Sequence, residues 1–416
     1  MEQQMIRETA LHGLRVLDLC GHATQYCGRM LAQLGADVVL VEPPGGASTR
    51  REGPFLEQRP HPERSLPFAY FNQGKRGMCL DLEQAQGQSL LRELARSADI
   101  LIEAEPAGLM ERRGLGYDDL KKINPGLVMT RITAFGQSGP YAHYAADDLV
   151  ALAMGGLLYL GGYPDSEPLA AYGHQAYLAA AQFAAVGSLI ALWSCEDGGG
   201  QGQQVDVSMQ ECVAMALENA VQFVDLEDTV RRRNGGLQRQ AGTGVFACSD
   251  GMVYLMAGGI AANRFWSATT DWLVDVGAPG AQALREERWG DMAYLASDEA
   301  KERFEAIFLP YAATRTKAEL YEEGQRRRIP ICPVSTSADL LVNEQLRHRR
   351  FFQDDAPHPY SGALLALPGA PYRLTGTPWQ AGRPAPRLGE HTSQILETLG
   401  YEWQAQQVLL RAGVTG

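Results

Sequence analysis

No Cys-x-x-Cys pair and no Cys/His cluster with zinc spacing occurs in the 416 residues, and the seven cysteines are scattered and odd in number. That argues against a structural zinc site or a disulfide framework, and reduced thiols in a cytoplasmic setting are the expectation. GxGxxG and P-loop fingerprints are also missing, so the two commonest phosphate cradles do not supply a function. There is no charged-then-apolar leader and no uninterrupted apolar run of about 18 residues, so neither a signal peptide nor a membrane span is expected. Positive charge is in short supply: 37 Lys and Arg face 49 Asp and Glu, a net charge of −12. Non-specific nucleic-acid binding is disfavoured, although a local basic site for an anionic ligand is not. No long internal repeat or low-complexity tail is present.

What remains is the composition of a globular enzyme, with 45% hydrophobic and 21% charged residues. The length exceeds one ordinary core and points to two domains. LRVLDLC (14–20) reads as a buried strand, CGRMLAQLGA (27–36) as a helix and DVVLVEPP (37–44) as a second strand. This βαβ pattern implies a parallel sheet with a right-handed crossover. QGQSLLRELARSADILIEA adds another helix and strand. The centre of the chain is a helix from about Gln175 to Trp193, apolar nearly all the way round and therefore expected to be buried on every side. A Gly-rich turn, Gly198 to Gly202, and an alternating strand, QQVDVSM, follow it.

Several side chains invite chemistry. Lys75 and Arg76 stand just before a predicted strand, where they either meet phosphates or form a solvated basic turn. TAFGQSGP places Thr133, Phe135, Gly136 and Gln137 at a strand end, the usual ligand position of an open α/β sheet. Asp147 and Asp148 precede an apolar stretch and read first as helix caps. His391 reads as a helix-start residue, and Trp266, Trp272 and Trp289 as the core of a smaller domain.

LRVLDL followed by LGADVVLVEPPGG, NQGKRG before LDL, EAEPAGLMERRGLGYDDLKKINPGLVMTRITAFGQSGPY, GQGQQVDVSM and GRPAPRLGEHTSQILETLGY together resemble the family III CoA-transferases, the group of formyl-CoA transferase, carnitine CoA-transferase and 2-methylacyl-CoA racemase. The resemblance implies an α/β fold: a large Rossmann-like parallel-sheet domain plus a small α+β domain, in an interlocked-ring dimer. The expected parts are residues 1–205 of the large domain, a linker helix at 206–230, a small domain at 231–325 and a return segment at 326–416. Coenzyme A or an acyl-CoA would be the substrate, with no metal. Lys75, Arg76, Arg112, Thr133, Phe135, Gly136 and Gln137 would contact it. Partners would be acyl-CoA and a second chain, as homodimer or as heterodimer with a paralogue, and neither nucleic acid nor membrane. MAGGI (Met256 to Ile260) is nearest to the family's mobile glycine lid.

The departures matter as much. The family's catalytic aspartate, at the start of the central helix, is replaced by Tyr177. Ala104-Glu105 stand for Asn-Phe, Pro43 for a CoA-contacting arginine and Asp147 for the racemases' histidine. A phenol with an ordinary pKa near ~10 is a poor substitute for a carboxylate that attacks a thioester and leaves again. Three readings stay open. One is enolate chemistry of isomerase, lyase or dehydratase type on an acyl-CoA, with Tyr177, His174 or Asp148 shuttling protons. Another is a non-catalytic homologue or subunit paired with an active paralogue. The third is a CoA-transferase whose carboxylate has moved, for example to Glu211.

Overall fold

The computed structural model describes residues 9–258 and 262–416. They fall into two compact units, one of residues 1–158, 171–222 and 347–416, the other of residues 159–170 and 223–346.

The first unit is built on six parallel strands: β1 (Arg15–Asp18), β2 (Asp37–Glu42), β3 (Arg76–Cys79), β4 (Ile100–Glu103), β5 (Val128–Thr133) and β6 (Gln204–Ser208). Their order is β3-β2-β1-β4-β5-β6. Alternate residues serve opposite faces of the sheet. Val16, Val38, Ile100, Ile102, Val128 and Ile132 form one buried cluster with helix α1 (Gln25–Gln33) and the helix at Gln175–Asp197. Leu17, Val39, Leu101 and Met129 pack under helix α2 (Ala85–Ala95) and the C-terminal helices. Burial on both faces explains why the strands read as continuous apolar runs. The strand order reverses between β1 and β4, which opens a crevice at their C-terminal ends. At the far end of the chain, His391 Nδ1 accepts from the Gly77 N–H at 3.2 Å, and the His391 N–H donates to Gly77 O at 2.9 Å. The histidine thereby fastens the C-terminal segment to β3.

Helix α3 (Asp148–Met154) and the central helix α4 (Gln175–Asp197) complete the first layer, with α5 (Met209–Met215) beside them. The expectation that α4 is buried on every side is corrected. Ala176, Ala180, Ala181, Ala184, Ala185 and Ser188 face inward, whereas Phe183, Val186, Ile190 and Trp193 are exposed, Trp193 at 72%. A helix apolar all round has no polar face to set its orientation, so size decides. The small residues let its backbone approach the sheet, where Ser188 Oγ meets Thr130 Oγ1 at 2.6 Å. At 23 residues α4 is also, by length and composition alone, the one helix among the described residues that is able to cross a membrane.

In the second unit β7 (Thr243–Cys248), β8 (Gly251–Met256) and β9 (Ile331–Pro333) form an antiparallel sheet. Trp266, Trp272 and Trp289 lie in its core, Trp266 stacked on Trp289 at 5.1 Å. The unit runs to 346 rather than 325 because β9 pairs with β8. The first unit passes 205 because β6 is the sixth strand of its sheet. Of the expected lid, Gly259 and Ile260 lie outside the described residues.

Candidate functional site

The loops after β1, β4 and β5 meet the first turn of α4 around a cleft of about 640 Å³, lined among others by His22, Glu105, Arg112, Thr133 and Tyr177. Its position at the C-terminal sheet edge follows from the strand order.

Tyr177 is the third residue of α4. Its backbone N–H, one of the four that a helix leaves unpaired, donates to Asp148 Oδ1 at 3.0 Å. Asp148 is buried and reaches there from the start of α3, while Asp147 caps α3 itself through the Val150 N–H at 3.0 Å. Both acids therefore have capping roles. The Tyr177 ring stacks on His22 at 5.6 Å and lies 5.6 Å from the ring of His174, which is exposed. The three expected catalytic residues are thus brought together, with His22 added. Burial raises the Tyr177 pKa above its usual value, and Asp147 and Asp148 push the same way. Burial and the two neighbouring acids thus favour the neutral phenol. His22 Nε2 sits 3.0 Å from Glu52, whereas its buried Nδ1 has no partner. Burial lowers the His22 pKa, Glu52 opposes that and His174 adds to it.

The loop after β4 is held by Arg131, which donates to Glu103 at 2.5 Å and to Glu111 at 2.5 Å. Arg112 on this loop is exposed at the cleft and has no carboxylate within 4 Å among the described residues. Lys75 and Arg76 do not join it. Lys75 is fully buried, and its three N–H groups go to Asp18 (2.7 Å), the Gln25 carbonyl (2.8 Å) and Asn72 (2.8 Å). Arg76 makes a two-pronged pair with Asp37 at the start of β2, at 2.8 and 2.6 Å. Of the three expected cations only Arg112 is left for a phosphate. Thr133 lines the cleft and its Oγ1 has no partner. Phe135 packs on Tyr141 at 5.8 Å. Gly136, at φ +84°, turns the chain so that the Gln137 N–H meets Asp206 at 2.9 Å.

Two residues escaped the sequence reading. His22 lies in the loop after the first strand, and that position at the reversal of strand order was its only signal. Arg113, the second arginine of ERRG, lines a neighbouring pocket of about 230 Å³ with Cys20, Asp81, Glu83 and Glu105. Its Nε and Nη1 make no hydrogen bond, although Nη1 is 3.4 Å from Glu105. Acids surround this pocket, which disfavours a polyphosphate there.

The model of CoA-transferase family III matches residues 11–392. The succinyl-CoA:(R)-benzylsuccinate CoA-transferase subunit BbsE of Thauera aromatica is 42% identical over 400 residues, 96% of each chain. The succinyl-CoA–L-malate CoA-transferase beta subunit of Chloroflexus aurantiacus is 30% identical, over 94% of each. Among solved structures, a CaiB/BaiF family protein from Brucella suis superimposes with a TM-score of 0.81 at 27% identity, covering 94% of this chain and all of that one.

Proposed function

This chain belongs to CoA-transferase family III, and on that premise we propose that it is one subunit of a heteromeric CoA-transferase. The assembly moves coenzyme A from a dicarboxylic acyl-CoA such as succinyl-CoA to a second organic acid, and a paired paralogue supplies the attacking carboxylate. The observation that carries this reading is Tyr177. It occupies the first turn of α4 inside the cleft, where burial keeps its phenol protonated. A phenol cannot form the reactive anhydride by which a carboxylate passes an acyl group on.

Two further features support it. The cleft offers Arg112 as its free cation, with Lys75 and Arg76 engaged elsewhere. Two of the relatives are named as subunits of transferases that use succinyl-CoA. Enolate chemistry is less well supported, because Asp148, the carboxylate among its expected proton carriers, is engaged by the backbone N–H of Tyr177. A moved carboxylate at Glu211 is also less well supported, since Glu211 lies in the first turn of α5 and does not line the Tyr177 cleft.

The test is reconstitution. The chain is assayed alone, and then after co-expression with a family III paralogue that carries the aspartate, using succinyl-CoA and a dicarboxylic acceptor. Transfer is expected only from the pair, with hydroxylamine converting the paralogue's aspartate, and no residue of this chain, to a hydroxamate. Transfer by the isolated chain would overturn the reading.

A further inference from the structure

We propose that Arg131 is a positioning residue of the Tyr177 cleft: it clasps both ends of the wall that carries Arg112, and a proton on Glu103 opens the clasp. This rests on membership of the family, and not on which subunit supplies the attacking carboxylate.

One wall of the cleft comes from a single stretch of chain, Ala104 to Ala107 together with Arg112. Arg131, buried on β5, reaches both ends of that stretch. Its Nε donates to Glu103 Oε1 at 2.5 Å, where β4 ends. Its Nη1 and Nη2 donate to the two Glu111 oxygens at 2.5 and 3.2 Å. Glu111 precedes Arg112 in the single helical turn Leu109–Arg112. Arg112 folds back over the same loop, so that a Cβ at Gly108 would lie 3.4 Å from its Nη1. The place of the Arg112 guanidinium therefore follows the course of the loop, and Arg131 sets that course. A planar fork with donors on three nitrogens can hold two carboxylates at once, which a lysine ammonium at this position could not reproduce.

The weak point of the clasp is Glu103, which is fully buried. Its Oε1 accepts from Arg131, and its Oε2 accepts from the Glu105 N–H at 2.5 Å. A carboxylate accepts at both oxygens, whereas a carboxylic acid must donate from one. Each oxygen here faces a donor, so a proton on either displaces Arg131 or releases the Glu105 N–H. Arg131 faces Glu103 from β5 and Glu105 faces it from its own loop. Glu111 shares the Arg131 guanidinium, and Arg113 stands 3.4 Å from Glu105. Burial, opposed by Arg131, brings the Glu103 titration to about 7. The clasp is thus closed above that pH and open below it. Arg92 on α2 ties the far end separately, donating to the Arg113 and Gly114 carbonyls at 3.1 and 3.2 Å. Release is thereby confined to the segment that lines the cleft.

The experiment titrates CoA calorimetrically into the full chain at pH 6 and pH 8. Wild-type affinity is expected to rise by about fivefold or more over that interval, relative to Glu103→Gln. The sign is diagnostic, because ionised Glu103 acting through space would repel the phosphates and weaken binding. Glu103→Gln keeps a donor where the proton would sit; it should bind weakly at both pH values, retaining only the titration of the CoA phosphate. Glu111→Ala, changed at the half-exposed end of the clasp, should lose affinity at pH 8 with an unchanged far-UV spectrum. In an Arg112→Ala background, Glu103→Gln should have no further effect. In the ligand-free protein, the Glu105 amide should lose protection from hydrogen exchange as pH falls through about 7. No binding of CoA by wild type at pH 8, a wild-type affinity that falls with pH relative to Glu103→Gln, or additive effects of Glu103→Gln and Arg112→Ala would overturn the proposal. No acyl group moves in these measurements, so their failure is separate from that of the reconstitution.

Discussion

Replacing Lys75 with methionine separates a structural role from a ligand-binding one. The ammonium and the Asp18 carboxylate are both fully buried, Lys75 Nζ donates to Asp18 Oδ2 at 2.7 Å, and Asp18 Oδ1 has no partner. Lys75→Met removes all three hydrogen bonds of the ammonium and leaves Asp18 an uncompensated charge in the core. Breaking a buried pair from one side costs about 3–5 kcal/mol, a large share of the roughly 5–15 kcal/mol that holds a typical domain together. A double change, Lys75→Met with Asp18→Asn, removes both charges and should recover part of the loss. Gly28→Ala attacks the same pair without deleting it, since a Cβ there would lie 2.3 Å from Asp18 Oδ2. Urea unfolding followed by far-UV circular dichroism reads all three, and calorimetry with CoA reads the folded protein. A Lys75→Met variant that loses less than about 1 kcal/mol while its CoA affinity falls sharply would refute the assignment and return the lysine to the ligand.

Asp148→Ala should cost about 1–2 kcal/mol through the lost cap on α4, and Asp148→Asn much less; equal losses in urea melts would count against capping. Burial pushes the Glu103 carboxyl up to about 7, against the pull of Arg131. A raised folded pKa contributes stability that is present below the ordinary 4.5 and lost as pH rises through about 7. Wild type should therefore lose ground to Glu103→Gln between pH 5 and pH 8, by about 1.4 kcal/mol per unit of displacement, and a gap independent of pH would contradict this. Tyr177→Asp alone is expected to stay inactive in transfer, because two of the three expected CoA cations are engaged in ion pairs; succinate-dependent exchange by that variant would show the cleft to be better equipped.

The inner strands were legible because they are buried and so announce themselves as apolar runs, and the partly exposed edge strand because its residues alternate. LRVLDLC and DVVLVEPP contain β1 and β2, and QQVDVSM contains β6. The fate of Lys75 was not legible. A basic pair before a strand looks the same whether its partner is a phosphate or an aspartate 57 residues away. The exposed side of α4 was hidden for a related reason: apolar residues at every position record no direction, and only the sizes of Ala180, Ala184 and Trp193 distinguish the faces. Tyr177 was visible as a departure from the family pattern, but its contacts with His22 and with Asp148 depend on loops that no local pattern specifies.

The placement of Tyr177 has a genetic consequence. Tyrosine and aspartate codons differ at the first base alone, so a single transversion restores the acid, and any large population samples it continually. In this fold the restored acid would stand beside the Asp148 carboxylate, which accepts the backbone N–H of residue 177 at 3.0 Å, and the like charge would raise its pKa.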